Sequence, residues 1–269
     1  MRLQSLEFLQ AWRQRAPQWQ EKAPAAPAII TKEWLEAALG NGEPLLLAVQ
    51  PQVPPNLFAE ALLEVAGLLQ ARRPDPALQL LAAALLQAGL PERQGLAQAV
   101  LAGDGEALEL WAGETGVSPE LLIALAPLAL QPFLQRFAAD VQKAVSFLSW
   151  RQTYCPVCGR DADVARIDPD NLRYLHCAQC DSQWQYHRLS CVCCGTENPK
   201  EAQILQVSQW EPWRLDLCDR CGGYMKSLDQ RHGGQLSRPG VDLFLEDART
   251  RQLDLLAQEK GYERGGHKQ

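Results

Sequence analysis

All nine cysteines of this 269-residue chain lie between Cys155 and Cys221, and residues 1–154 contain none. Eight of them form four Cys-x-x-Cys pairs: Cys155/Cys158, Cys177/Cys180, Cys191/Cys194 and Cys218/Cys221. At this cysteine frequency chance gives on the order of 0.3 such pairs, so the spacing itself carries information. Two thiolates three residues apart on a tight turn reach one ion, and two such turns make a tetrahedral four-sulfur site. Gly159, Gly195 and Gly222 each follow the second cysteine of a pair. A glycine there takes positive φ and lets backbone N–H groups face the sulfurs, which spreads their negative charge.

The intervals between pairs, 18 residues from Cys158 to Cys177 and 23 from Cys194 to Cys218, each leave room for a hairpin. Arg173–His176 and Trp184–His187 read as extended, and Trp213, Leu215 and Leu217 alternate with polar residues into Cys218, a strand period. Consecutive pairing gives two small ribbon lobes in series, while a cross-braced arrangement of first with third and second with fourth satisfies the same spacing. The expected architecture is α+β. An all-helical domain over 1–150 precedes a first four-cysteine lobe over 151–188 and a second over 189–235, both of the rubredoxin or zinc-ribbon type. A C-terminal helix and tail occupy 236–269.

Other roles for the eight cysteines fare worse. Nothing indicates export, and reducing compartments keep thiols free, which argues against disulfides. A thioredoxin-like redox pair occurs once, at the start of a helix, not as four knuckles. Four sulfurs also leave no open coordination position, so a catalytic metal is not expected. No other catalytic constellation stands out, no catalytic residue is assigned, and the chain is expected to be a non-enzyme. Each lobe spans only about 30–40 residues, below the size at which burial alone sustains a fold. A structural ion contributes roughly 10–16 kcal/mol, comparable with a whole domain's stability. Four-thiolate sites suit zinc or a single rubredoxin-type iron, and spacing does not separate the two.

Cys193 sits inside the third knuckle without a pair and reads as a spare thiol. His176 and His187 flank the knuckles, but with four sulfurs available at each site they are expected to pack or hydrogen-bond.

The first part of the chain is rich in Leu and Ala. Thr31 can cap the segment from Trp34 to Leu39. Pro54-Pro55-Asn56 leads into Leu57–Leu69, and Asp75-Pro76 opens Leu78–Leu86, with Asp at the cap and Pro at the first helical position. Ser118-Pro119 repeats the signal before Leu121. Phe133, Phe137, Val141, Val145 and Leu148 form one helical stripe. Gly40, Gly89 and Gly103 punctuate between segments. No phosphate loop, nucleophile elbow or acid pair stands out there.

The longest apolar run, Leu121–Leu130, is short and interrupted by Pro127, so a membrane span is not expected. Met1-Arg2-Leu3-Gln4 carries no leader pattern, and a cytoplasmic location is expected. Net charge is −6, of which residues 151–269 contribute −1. Eight thiolates with two divalent ions lower it further. That balance disfavours a nucleic-acid backbone as partner, although Arg166, Arg173 and Arg188 offer a basic face.

Three stretches carry a family resemblance: Cys155-Pro-Val-Cys-Gly159; Arg173-Tyr-Leu-His-Cys-Ala-Gln-Cys180 running through Trp184 and Arg188 to Cys191-x-x-Cys194-Gly195; and Cys218-Asp-Arg-Cys-Gly-Gly-Tyr-Met-Lys226. With the tail Leu253-Asp254-Leu255-Leu256 and Glu259-Lys260-Gly261-Tyr262, they resemble the FdhE family of formate dehydrogenase accessory proteins. The resemblance covers roughly residues 150–262; Cys193 and the doubled Gly222-Gly223 have no place in its pattern. It implies a cytoplasmic assembly factor that contacts the catalytic subunit of formate dehydrogenase. It also implies two mononuclear, rubredoxin-type iron sites, with zinc as the other candidate, on Cys155, Cys158, Cys177, Cys180, Cys191, Cys194, Cys218 and Cys221. Self-association is open. A rubredoxin-like electron carrier is the alternative reading, and a zinc-ribbon nucleic-acid binder a weaker one.

Overall fold

The computed structural model describes residues 5–27, 31–232, 236 and 240–265. The leader reading on Met1–Gln4 and the expected boundary at residue 235 fall outside them. The chain divides into two compact units, Met1–Ile29 with Pro51–Val141, and Ile30–Gln50 with Gln142–Gln269.

The first unit is helical: α1 (Leu6–Lys22), then, beyond two helices of the second unit, α2 (Lys32–Gly40) and α3 (Leu45–Ala48), the run α4 (Pro55–Gln70), α5 (Pro76–Gln87), α6 (Leu90–Ala102), α7 (Gly105–Thr115) and α8 (Pro119–Ala144). The caps at Asp75 and Ser118 sit where the sequence places them, and Ser5 adds one that the sequence reading did not name. Ser5 accepts from the Phe8 amide, Asp75 from Ala77 at 2.9 Å and Ser118 from Leu121 at 3.3 Å. Buried tryptophans find polar partners for their indole N–H groups: Trp12 donates to Gln131 and Trp19 to Glu64.

Pro127 does not end the apolar run as expected. Helix α8 continues through both Pro127 and Pro132 for 26 residues. An interior proline costs about 3 kcal/mol. From Leu128 to Gln135 every residue of α8 is buried, on all sides of the helix, and Leu121, Leu122, Leu125, Ala126 and Phe137 are buried as well. Each large apolar side chain buried contributes roughly 1.5–3 kcal/mol, so packing outweighs the two lost hydrogen bonds. The stripe Phe133, Phe137 and Val141 lies on this helix; Val145 follows its end and is buried, and Leu148 is exposed. Helix α8 is also long and apolar enough to cross a membrane by length and composition, yet 78 % of its most apolar window is buried inside the protein. That is the signature of a core helix.

The second unit is built on a sheet. Its strands are β1 (Val164–Ile167), β2 (Arg173–His176), β3 (Gln183–Tyr186), β4 (Ala202–Gln206), β5 (Trp213–Cys218), β6 (Gly223–Asp229) and β7 (Glu263–Arg264), with helices α9 (Leu243–Arg249) and α10 (Arg251–Glu259) before β7. The order is β3-β2-β1-β6-β5-β4, with β7 added on β6. The two expected ribbons are the antiparallel meanders β1-β2-β3 and β4-β5-β6. They are joined into one sheet by a parallel β1–β6 pair, Ala165 opposite Ser227 and Ile167 opposite Asp229. Val164, Trp213, Leu215, Leu217 and Leu228 of the sheet pack with Leu243, Leu253 and Ala257 of the C-terminal helices.

Residues 30–50 belong to this unit for a visible reason. The first N–H groups of α3, which no helical carbonyl can satisfy, donate from Leu45 to the Pro156 carbonyl and from Leu46 to the Val157 carbonyl, both at 2.9 Å. Tyr154 adds a hydrogen bond from its hydroxyl to the Gly42 carbonyl at 2.8 Å.

Candidate metal centres

Each Cys-x-x-Cys pair closes the same turn. The amide four residues after the first cysteine donates back to that cysteine's carbonyl, Gly159 to Cys155, Asp181 to Cys177, Gly195 to Cys191 and Gly222 to Cys218, all at 2.9 Å. That closing residue is left-handed in every case, with φ of 73° at Gly159, 58° at Asp181, 72° at Gly195 and 64° at Gly222. Asp is among the few other residues that tolerate this region, which is why the second knuckle dispenses with glycine. The turn aims amides at sulfur: Val157 and Cys158 toward Cys155 Sγ at 3.4 and 3.5 Å, and Cys193 toward Cys191 Sγ at 3.3 Å.

The knuckles meet in consecutive pairs. The sulfurs of Cys155, Cys158, Cys177 and Cys180 lie within 4.8 Å of one another, as do those of Cys191, Cys194, Cys218 and Cys221. The cross-braced alternative is thereby excluded. Sulfurs 2.3 Å from a central tetrahedral ion stand about 3.8 Å apart. The observed separations are 3.8 Å for Cys191–Cys221 and Cys194–Cys218, and 3.4 Å for Cys155–Cys180 and Cys158–Cys177. None of the nine cysteines is in a disulfide. Both groups therefore could hold an ion, and the donor set suits zinc or a single iron alike.

The two sites differ in exposure. Cys155, Cys177 and Cys180 are buried and Cys158 half-buried, whereas Cys194 is exposed and Cys191 half-buried. Four thiols gathered this closely share protons unevenly. Burial pushes Cys155 and Cys180 well up, while hydrogen bonds from Cys155, Cys177 and Cys180 hold Cys158 well down. In the second group Cys191 is brought down to about 4, first by a hydrogen bond from Cys193. That same bond pushes Cys193 up, and burial raises Cys218 and Cys221. A cation that replaces these protons removes the conflict.

The flanking histidines stay outside both groups. His176 is buried with Nε2 3.5 Å from Asp181 Oδ1, and His187 is exposed beside Glu197 at 3.7 Å.

Comparison with known proteins shows the family. The family profile described as FdhE, central domain, matches residues 154–188, the first site. The FdhE homologue of Edwardsiella ictaluri is 30% identical over 237 residues, covering 84% of this chain and 69% of the relative. The chain belongs to the FdhE family. The Aquifex aeolicus FdhE homologue is 34% identical over 153 residues, 55% of this chain and 52% of that protein. A Shewanella baltica homologue is 34% identical over 116 residues, 36% of its length, so the matches span about half or less of these two curated relatives. The crystal structure of the FdhE protein from Pseudomonas aeruginosa shares the fold, with a TM-score of 0.62 over 94% of this chain and 84% of that one, at 23% identity.

Within this FdhE chain, the motif after the fourth knuckle has a structural meaning that spacing did not reveal. Tyr224 donates from its hydroxyl to Asp254 Oδ1, and Lys226 Nζ lies 2.8 Å from Asp254 Oδ2 and 2.6 Å from Asp247 Oδ1. The Lys226 side chain is fully buried. Arg264 closes the network on Asp247 and Asp254. Burial pushes Asp247 up, but Arg264 and Lys226 outweigh it and hold its carboxyl below the usual range. The knuckle is thus locked to the C-terminal helices by charges taken out of water. Its signal in the sequence was the lysine in the apolar stretch Gly223–Leu228, together with acids on the following helices.

Proposed function

We propose that the chain is an accessory protein for formate dehydrogenase assembly, acting by binding the enzyme's catalytic subunit in the cytoplasm. In this reading it has no reaction centre of its own. The supporting observation is family membership joined to the consecutive grouping of eight sulfurs. Cys155, Cys158, Cys177 and Cys180 would hold one ion, and Cys191, Cys194, Cys218 and Cys221 a second, with rubredoxin-type iron favoured by the family resemblance and zinc the other candidate. The bound ions supply cross-links, and iron would also supply a one-electron couple. The chain's own residues do the rest: knuckle amides hold the sulfurs, α3 fixes the first knuckle, and Lys226 fixes the fourth.

The test is capture of the tagged protein from cells making the dehydrogenase, together with enzyme activity in a deletion strain. Co-purification of the catalytic subunit and loss of activity are expected; full activity without the protein contradicts the proposal.

The exposed Cys194 favours a second reading, electron transfer, because a sulfur at the surface shortens the path to a partner. Native protein that is colourless in air and contains only zinc eliminates it.

A further inference from the structure

Beside the second cysteine group, the two ribbons border a cavity of about 70 Å³. Buried Leu217 and Met225 supply apolar wall, and exposed Leu189 and Ile204 also line it. Arg173, Arg188, Arg214 and Asp216 supply its polar wall. Arg173 and Arg214 are almost fully buried, 3% and 4% exposed.

The charges there do not balance. Asp216 is shared by Arg173 at 3.2 Å and Arg214 at 3.0 Å, and it also accepts from the Ser227 hydroxyl. Asp229 is shared by Arg214 at 3.3 Å and Arg231 at 2.5 Å. Arg188 donates to the neutral Asn171 side chain at 3.3 Å. Among these side chains, Arg231 and Asp229 lying just beyond the cavity wall, four guanidinium groups stand against two carboxylates, an excess of two positive charges before the neighbouring cysteine group is counted. Arg173 Nε and Arg214 Nε and Nη2 are buried without a hydrogen-bond partner, three donors against one orphaned acceptor, Asp216 Oδ1. Buried, unmatched cationic donors are costly unless an anion completes them. Burial, together with like charge from Arg214, Arg231 and Arg173, lowers the proton affinity of Arg188, as expected for a site short of negative charge.

We propose that this cavity binds a carboxylate carried on a short aliphatic stem. The guanidinium groups take the carboxylate, since planar, forked donors match its two oxygens. The apolar wall takes the stem, which disfavours phosphate and other fully hydrated oxyanions. A carboxylate of this kind comes either from a free aliphatic acid or from an acidic side chain of a partner protein. Cys191 and Cys218 also border the cavity. A loaded four-thiolate site is negative, so the arginines have a rival role as its counter-charge alone.

The test uses the full-length, zinc-loaded chain and follows arginine Nε–Hε signals by NMR at constant ionic strength. Saturable shifts with butyrate are expected, at about tenfold higher affinity than acetate because of the two added methylenes. Arg188→Gln should weaken butyrate binding about tenfold and leave two zinc ions per chain. Shifts no larger than with chloride, phosphate binding as tight as butyrate, or an Arg188→Gln protein that loses zinc instead of affinity would each overturn the proposal. A blocked Ala-Glu-Ala peptide distinguishes the sources. Tighter binding than butyrate, absent from the Ala-Gln-Ala control, identifies a partner's acidic side chain, and weaker binding identifies a free acid.

Discussion

The sulfur of Cys193 lies against the backbone of Gly223, so closely that a Cβ built there would stand 2.6 Å from Sγ and 2.9 Å from the Cys193 Cβ. The ninth cysteine and the second glycine of Gly222-Gly223 thus explain each other. Gly222 provides the left-handed turn and Gly223 the space.

Gly223→Ala is therefore expected to disturb the second site, because its Cβ would also reach 3.1 Å from Cys221 Sγ. Overpacking of this kind costs about 1–3 kcal/mol. Metal analysis should show partial loss of one ion, and the double variant with Cys193→Gly should recover it in good part. Cys193→Ala alone should retain both ions. Equal metal loss in Gly223→Ala with and without Cys193→Gly would show that the contact is not responsible.

Cys155→Ala and Cys218→Ala should each remove one ion and leave the other site filled. Metal quantitation with a thermal melt checks this. Because β1 and β6 share hydrogen bonds, the melting temperature should fall for the whole sheet unit rather than for one ribbon. An unchanged metal count in either variant contradicts the ligand grouping.

The difference in exposure predicts an order of metal loss. A soluble chelator should empty the site with exposed Cys194 first and the site built on Cys155, Cys177 and Cys180 later, giving two phases. The fast phase should persist in Cys155→Ala and vanish in Cys218→Ala. A single phase, or the reverse assignment, contradicts the prediction. Removal of both ions should unfold the sheet unit, since each contributes roughly 10–16 kcal/mol.

Lys226→Met leaves Asp247 and Asp254 with less compensation in a buried setting. Breaking a buried pair by removing one partner costs about 3–5 kcal/mol. Denaturant unfolding of the metal-loaded protein should show a loss of that order, with both ions retained. A change below about 1 kcal/mol, the range of exposed pairs, would place Lys226 in water.

Asp229 gives the pH dependence a sign. A hydrogen bond from Arg231, larger than the opposing effect of burial, holds its carboxyl below the usual range. Its stabilising contribution is thus fully present above the unfolded value of about 3.9 and is lost as pH falls through the lower folded value. The stability gap between wild type and Arg231→Gln should be constant above about pH 5 and shrink below about pH 4. A gap that widens in acid contradicts this.

The sheet unit was legible in sequence mainly where a short-range rule applies. Knuckle spacing, the glycines after Cys158, Cys194 and Cys221, and the alternation Trp213–Leu217 each specify local backbone. So do the caps at Thr31, Asp75 and Ser118. What was not legible depends on distant partners. The parallel β1–β6 pair that fuses the ribbons leaves no local signature, and Lys226 acquires its role only through Asp247 and Asp254, distant in sequence. Residues 30–50 look like more of the helical part, because nothing in Leu45-Leu46 announces that its amides cap the first knuckle. Pro127 reads as a breaker because a breaking rule is local, while the burial around α8 that overrides it is not.

The central claim is that eight sulfurs enclose two ions, four to each. X-ray absorption at the metal edge, on protein purified without air and with metal quantified, tests it most directly. Two ions per chain, each with four sulfur neighbours near 2.3 Å, is the expected result. One ion per chain, or a first shell containing nitrogen or oxygen, would contradict it.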